Sequence, residues 1–512
     1  MAGRERRVLV IGLDCADPGL VFGAWREDLP NLRRLMESGA YGPLETCHPP
    51  ITVPAWSSMM SSRDPGQLGF YGFRNRADYS YDGMRIANST AVKAPRVWDL
   101  AERAGLRSVL VGVPQTYPLP SVTGWAISDF LTPPGASDWA RPAELADEVG
   151  ELLQGEPYEF DVRDFRTEDK DGLLESIYRM TDKRWRVIRH LASSKPWDFF
   201  MLVEMGIDRI HHGFWSFMDH RDPRFQPGHR FQHAIRDYYV YVDRRIGELL
   251  ELVGDDAWVM VVSDHGAQRM EGGFAVNEWL IREGYLALAD RPEGAVELKQ
   301  CRIDWPRTRA WGSGGYYARV FMNVAGREPE GIIPADRYEE ERDRLKAALE
   351  HTAGPDGRPL GTVALKPEEV YREVNGIAPD LIVYFGGLAW RSVGSIGHGD
   401  VYTVENDTGP DDANHSRFGL CIMRDPEASL GGREMAGLHI EHVAPTLLTW
   451  LGLEVPADMV GAPVIQPRAA EAPEGDPGPG TCPSESEGRD GSGYTEEEER
   501  QISDHLADLG YL

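Results

Sequence analysis

The chain has 512 residues with 41% hydrophobic, 10% aromatic and 27% charged side chains, enough for one large α/β domain with insertions or for two to three ordinary domains. Its formal net charge of −28 excludes a broad nucleic-acid footprint and repels anionic substrates unless bound cations reverse the potential locally. No apolar run nears the roughly 18–20 residues of a membrane span.

Met1 to Arg7 is basic, and the apolar run Val8–Leu13 behind it is too short for a signal-peptide core. Asp14 interrupts it at once, so it is predicted as the first buried strand. Further predicted strands are Ser108–Val113, Asp198–Glu204, Ala257–Ser263, Leu381–Tyr384 and Gly419–Met423. Helical patterns lie between several of them, at Leu29–Ser38, Ala94–Ala104 and Leu173–Leu191. Apolar strands alternating with helices imply an α/β fold, a large and mostly parallel sheet with helices on both faces. In such sheets ligands gather at the carboxyl ends of the strands.

Residues from about 115 to 195 and from about 271 to 400 read as insertions over the site, within a catalytic body running to residue 465. Residues 466–493 are rich in Pro, Gly, Ser and Glu and are expected as a flexible linker. Residues 494–512, YTEEEERQISDHLADLGYL, have acids first and apolar residues at helical spacing, and are expected to dock as a helix on the body. The five cysteines are scattered without a C-x-x-C pair, which favours reduced thiols and a cytoplasmic protein.

Several residues at strand ends carry metal-ligand chemistry. Thr52 stands just before Pro54, where a helix is expected to begin. A hydroxyl there can attack phosphorus if a metal lowers its pKa, or it can simply cap the helix. Asp208 and His212, in GIDRIHHGFW, share a helical face and could share a metal; His211 points about 100° away. Asp264 and His265 close the strand WVMVVS before Gly266. His415 lies in DDANHSRFG, with His398 in IGHGD as its rival.

The stretches VLVIGLDCADP, PNLRRLMESGAYGPLETCHPPITVPAWSSMMSSRDPG, GIDRIHHGFW, VVSDHG and NDTGPDDANHSRFG resemble the alkaline phosphatase superfamily. The likeness is to the type I phosphodiesterases and nucleotide pyrophosphatases and to a broader group of predicted phosphohydrolases or phosphomutases. EHVAPTLLTWLGLEVPADMVGAPV and LADLGYL are similar to that group's closing segments.

The resemblance implies one metal held by Asp208, His212 and His415, and a second held by Asp14, Asp264, His265 and the Thr52 hydroxyl. Zinc is the expected ion for both, with manganese or iron open. It also implies hydrolysis of a phosphodiester or pyrophosphate in a small nucleotide-like or sugar-nucleotide-like substrate, through a phospho-threonine at Thr52. Asn75, in YGFRNR, lies where related phosphodiesterases hydrogen-bond a phosphoryl oxygen, with Arg74 as competitor. The cysteine-and-arginine motif of sulfatases is missing. A phosphomonoesterase or phosphomutase is the alternative and would need extra cations, such as Arg63, Arg74 or Arg309. A non-catalytic binder of a phosphorylated ligand is the third reading. Oligomeric state is not legible.

Overall fold

The computed structural model describes residues 6–163, 165–404, 409–467 and 493–508. Its spine is a sheet of ten strands. The order across it is Arg433–Glu434, Ala40–Glu45, Phe418–Arg424, Ala257–Val262, Arg7–Leu13, Phe199–Glu204, Ser108–Val111, Gly124–Ile127 and Ala140–Arg141, with Leu438–His439 beside Ala40–Glu45. The central strands are uninterrupted apolar runs because helices cover both faces. Val8 to Ile11 and Phe199 to Val203 have no solvent exposure.

Arg7–Leu13 runs parallel to Phe199–Glu204 on one side and to Ala257–Val262 on the other. The register pairs Leu13 with Glu204 and Gly12 with Val262, so three chain segments leave the sheet at one edge. Phe418–Arg424 is antiparallel to its neighbours, which makes the sheet mixed. Gly124–Ile127 and Ala140–Arg141 lie inside residues 115–195 and pair into this same sheet.

Leu381–Tyr384 is a strand, but not of the main sheet. It pairs antiparallel with Ala318–Met322 and Val363–Leu365 in a four-stranded sheet completed by Ala310–Ser313. That sheet and a three-stranded one built on Gly272–Ala275 surround a second apolar core containing Phe274, Trp279, Val320, Leu345 and Phe385. A short buried run has the same composition in either core, so sequence alone does not tell which sheet takes it.

Near the C-terminus, the helix Glu496–Asp508 packs on the body through Ile502 and Leu506. Just before it, the Tyr494 hydroxyl donates to the Leu131 carbonyl at 2.9 Å. Of the stretch expected as a linker, residues 468–492 lie outside the described residues. No described helix is long and apolar enough to cross a membrane.

Gly12 shows how tightly the sheet edge is filled. A Cβ there would sit 2.6 Å from the Trp56 ring and 2.7 Å from Val203. Trp56 in turn donates its indole N–H to Asp14 at 2.7 Å. Gly12→Ala is therefore expected to destabilise the protein by about 1–3 kcal/mol and to disturb Asp14. Denaturant midpoint and metal content, measured on the same preparations, check both effects.

Candidate metal centre

Local geometry explains how each side chain reaches the centre. Asp14 follows the first strand directly, and its N–H bonds the Glu204 carbonyl at 3.1 Å. Glu204 is buried and accepts from the Gly206 N–H at 2.8 Å and the Trp185 indole at 2.7 Å. That anchors the helix Gly206–Met218, which carries Asp208 in its first turn and His212 one turn later. Thr52 is the first residue of the fully buried helix Thr52–Ser61, where Pro54 costs no intrahelical bond. Asp264 and His265 follow Ala257–Val262. The strand Ala413–Ser416 pairs with Gly266–Arg269 and sets His415 opposite Ala267. The His265 and His415 rings consequently stack, with centroids 3.8 Å apart.

Asp14, Thr52, Asp208, His212, Asp264, His265 and His415 all have zero exposure. They form two adjacent groups. In one, ligand atoms of Asp208, His212, His415 and also Cys15 lie within 4.8 Å of one another. In the other, those of Asp14, Asp264 and His265 do so. His212 Nε2 is 3.3 Å from Asp208 Oδ1, and His265 Nε2 is 3.2 Å from Asp264 Oδ2. The Thr52 hydroxyl lies 3.4 Å from His265 Nε2, so it belongs with the second group.

The polar atoms facing inward fit cations better than they fit each other. Asp14 Oδ1, Asp208 Oδ1, Asp264 Oδ2 and His212 Nε2 complete no hydrogen bond although all are buried. Their outward atoms, by contrast, are bonded. Asp14 Oδ2 accepts from Trp56, and Asp208 Oδ2 pairs with Arg209, which also grips Asp161 at 2.6 Å. His415 Nδ1 faces the Pro50 carbonyl at 2.8 Å, which points the other ring nitrogen at the centre.

The electrostatics follow from crowding. Burial, and then repulsion from Asp208, push the Asp14 carboxyl well above the ordinary range; burial and Asp14 do the same to Asp264. Asp208 goes the other way. Burial would raise it, but His212 and Arg209 hold it well below its usual value. Burial keeps the His265 imidazole neutral, pulled down to about 4, and lowers His415 as well. Burial would also lower His212, yet Asp411 and Asp208 outweigh it and raise it to about 9.

Asp411 was missed in the sequence, and it shapes the centre. Its Oδ1 lies 2.7 Å from His212 Nδ1. Its Oδ2 accepts from Arg166 at 2.5 Å, from Arg391 at 3.3 Å and from the Tyr316 hydroxyl at 3.3 Å. The only local signal was an acidic pair four residues before His415. Tyr316 stacks on His415 at 4.3 Å between centroids and leans on His212 at 4.9 Å, roofing this metal group.

Other residues raised by the sequence lie elsewhere or are engaged. The Asn75 amide accepts from the Tyr71 N–H at 2.6 Å and donates to the Gly72 carbonyl at 2.9 Å, so it braces its own turn. Arg74 contributes its carbonyl to Arg319. His398 faces Ser395 at 2.8 Å in the second core's region, and His211 faces the Tyr239 hydroxyl at 3.2 Å. Arg63 pairs with Asp458, and Arg309 with Glu341.

Comparison with known proteins places this arrangement. The sequence profile of the family described as type I phosphodiesterase / nucleotide pyrophosphatase matches residues 8–411. The chain belongs to that family. Its members are metal-dependent phosphohydrolases, and the protein is an enzyme of that kind. Among solved structures, human ectonucleotide pyrophosphatase / phosphodiesterase 5 is similar at TM-score 0.51 and 14% identity, over 89% of this chain and 97% of that one. An inactive form of the murine counterpart in complex with AMP is similar at TM-score 0.51 and 13% identity, over 88% and 96%. Phosphonoacetate hydrolase from Sinorhizobium meliloti 1021, in complex with phosphonoacetate, reaches TM-score 0.52 at 16% identity, over 85% and 93%. These likenesses establish the alkaline phosphatase-like fold. No curated protein matches the chain in a sequence search.

Two outcomes test the centre. Because His212 must lose its proton to bind a cation, metal affinity of the metal-free protein is expected to rise with pH up to about 9, with protons released on binding. Calorimetric titrations across that range, in buffers of different ionisation enthalpy, check it. Asp411→Asn keeps the shape but weakens the hold on His212, so metal affinity should fall roughly 10–100-fold. Equilibrium dialysis measures this directly.

Proposed function

We propose that the protein hydrolyses phosphodiester or pyrophosphate bonds in a small, nucleotide-like substrate, with Thr52 as the nucleophile and a phospho-threonine between two displacements. The observation that carries this reading is a buried threonine hydroxyl at a helix N-terminus, 3.4 Å from His265 in one of two adjacent groups of carboxylates and imidazoles. The amide dipoles at that helix start favour a phosphoryl group beside Thr52. Asp208, His212 and His415 would hold one divalent ion, and Asp14, Asp264 and His265 with Thr52 the other. Bound there, the ions would lower the hydroxyl pKa and neutralise charge on the entering and departing oxygens.

In the first displacement the Thr52 Oγ1–P bond forms and the bond from phosphorus to the leaving oxygen breaks. The proton lost by Thr52 is balanced by the one the leaving group gains. In the second, water forms a new O–P bond while Oγ1–P breaks, and Thr52 regains its proton. Arg209 restrains Asp208 throughout, and Trp56 restrains Asp14.

Zinc suits the mixed imidazole and carboxylate donors. Residues 271–400, which contribute Tyr316 and Arg391 to the roof, are proposed as the cap that sets specificity. AMP binding by the murine relative supports a nucleotide-like ligand. Of the three arginines that could receive a phosphate dianion, Arg63 and Arg309 are already paired with carboxylates, which favours the diester reading over a monoesterase. Cys15, Cys47, Cys301 and Cys421 carry free thiols, which suits action in the cytoplasm.

The test compares a chromogenic phosphate diester with its monoester, using zinc-reconstituted protein. The diester should turn over faster, and Thr52→Ala should lower its rate by roughly a thousandfold or more while both metals stay bound. Preference for the monoester would instead indicate a phosphatase or mutase. Loss of neither activity in the variant would remove Thr52 from the chemistry.

A further inference from the structure

The turn that supplies Asp14 also delivers a sulfur atom. Cys15 has φ 64°, a left-handed backbone that a side chain makes unfavourable and a glycine would accept freely. Its N–H bonds Asp264 Oδ1 at 3.3 Å, and the next N–H bonds the Ser263 hydroxyl at 2.8 Å, so the neighbouring strand end holds the turn in this shape. On an ordinary extended backbone, consecutive side chains diverge to opposite faces. Here Asp14 enters one ligand group while Cys15 Sγ enters the other, alongside Asp208, His212 and His415.

We propose that Cys15, as a thiolate, is a fourth protein ligand of the ion held by Asp208, His212 and His415. The proposal rests on the two-metal reading above. All four residues have zero exposure, and their ligand atoms lie within 4.8 Å of one another. Asp208 Oδ1 and His212 Nε2 point into the space they share without completing a hydrogen bond. The thiol lies 3.5 Å from the Gly266 carbonyl and also faces the Asp208 carboxylate. On binding, the S–H proton leaves for solvent and sulfur donates an electron pair to the ion. No oxidation is involved.

A sulfur donor makes the two sites chemically unequal. The Asp208 site is the softer and favours zinc or cobalt over magnesium or calcium, whereas the Asp14 site, with oxygen and nitrogen donors, discriminates less. Zinc tolerates a fifth ligand, so four protein donors still leave room for a substrate oxygen.

The experiment loads the full-length metal-free protein with cobalt(II) and follows both the metal count and the near-ultraviolet spectrum. A thiolate-to-cobalt charge-transfer band is expected in wild type and in Cys421→Ser, which removes another buried thiol. The band should vanish in Cys15→Gly and Cys15→Ser, with affinity for one of the two cobalt ions falling roughly tenfold or more. Cys15→Gly suits the left-handed backbone and guards against a folding artefact, which thermal unfolding would reveal. Two bound cobalt ions without the band, or unchanged affinity in the Cys15 variants, overturns the proposal alone. Failure of the wild type to bind cobalt at all overturns the proposal together with the two-metal reading.

Discussion

Gathering Asp14, Asp208 and Asp264 in one dry place is the constraint on which the rest of the molecule turns. Burying a carboxylate costs several kcal/mol even after relaxation, and like charges nearby add to it. The fold offsets that cost from outside with Arg209 and Trp56, and leaves the inward oxygens for divalent ions. A protein of net charge −28 needs those ions to attract a phosphate ester at all. The parallel register of the three central strands exists, in functional terms, to bring these acids to one edge.

The second core contributes to the same centre. Tyr316, between the strands Ala310–Ser313 and Ala318–Met322, and Arg391, on Trp390–Val393, reach from the sheets around it to His212, His415 and Asp411, so the geometry of the ligands depends on residues that carry none of the metal chemistry. The space left between Ile51 and the Gly314–Tyr317 segment is about 10 Å³, roughly one water.

Much of this was legible from local pattern. Val8–Leu13, Phe199–Val203 and Ala257–Val262 are unbroken apolar runs where an amphipathic strand would alternate, and Asp14, Asp208 and Asp264 follow them within a few residues. Ala40–Glu45 escaped notice because Gly42 and Pro43 weaken the strand signal, while its pairing with Phe418–Arg424 is fixed only in three dimensions. Leu381–Tyr384 announced a strand but not which sheet would take it. Cys15 was visible beside Asp14, but only the sign of its φ aims it at the other ligand group. Asp411 and Tyr316 owe their importance to partners about 100 to 200 residues away. Sequence cannot show that the Asn75 amide also braces its own turn, accepting from Tyr71 and donating to Gly72.

The antiparallel strand Phe418–Arg424 has a consequence for how the enzyme matures. It slots between Ala40–Glu45 and Ala257–Val262, and His415 arrives with it. During synthesis, then, the other ligands leave the ribosome long before the one that completes the Asp208 group. A nascent chain displays an incomplete Asp208 group until His415 has been made. That group is therefore assembled only when Phe418–Arg424 takes its place in the sheet, after both neighbouring strands have been made.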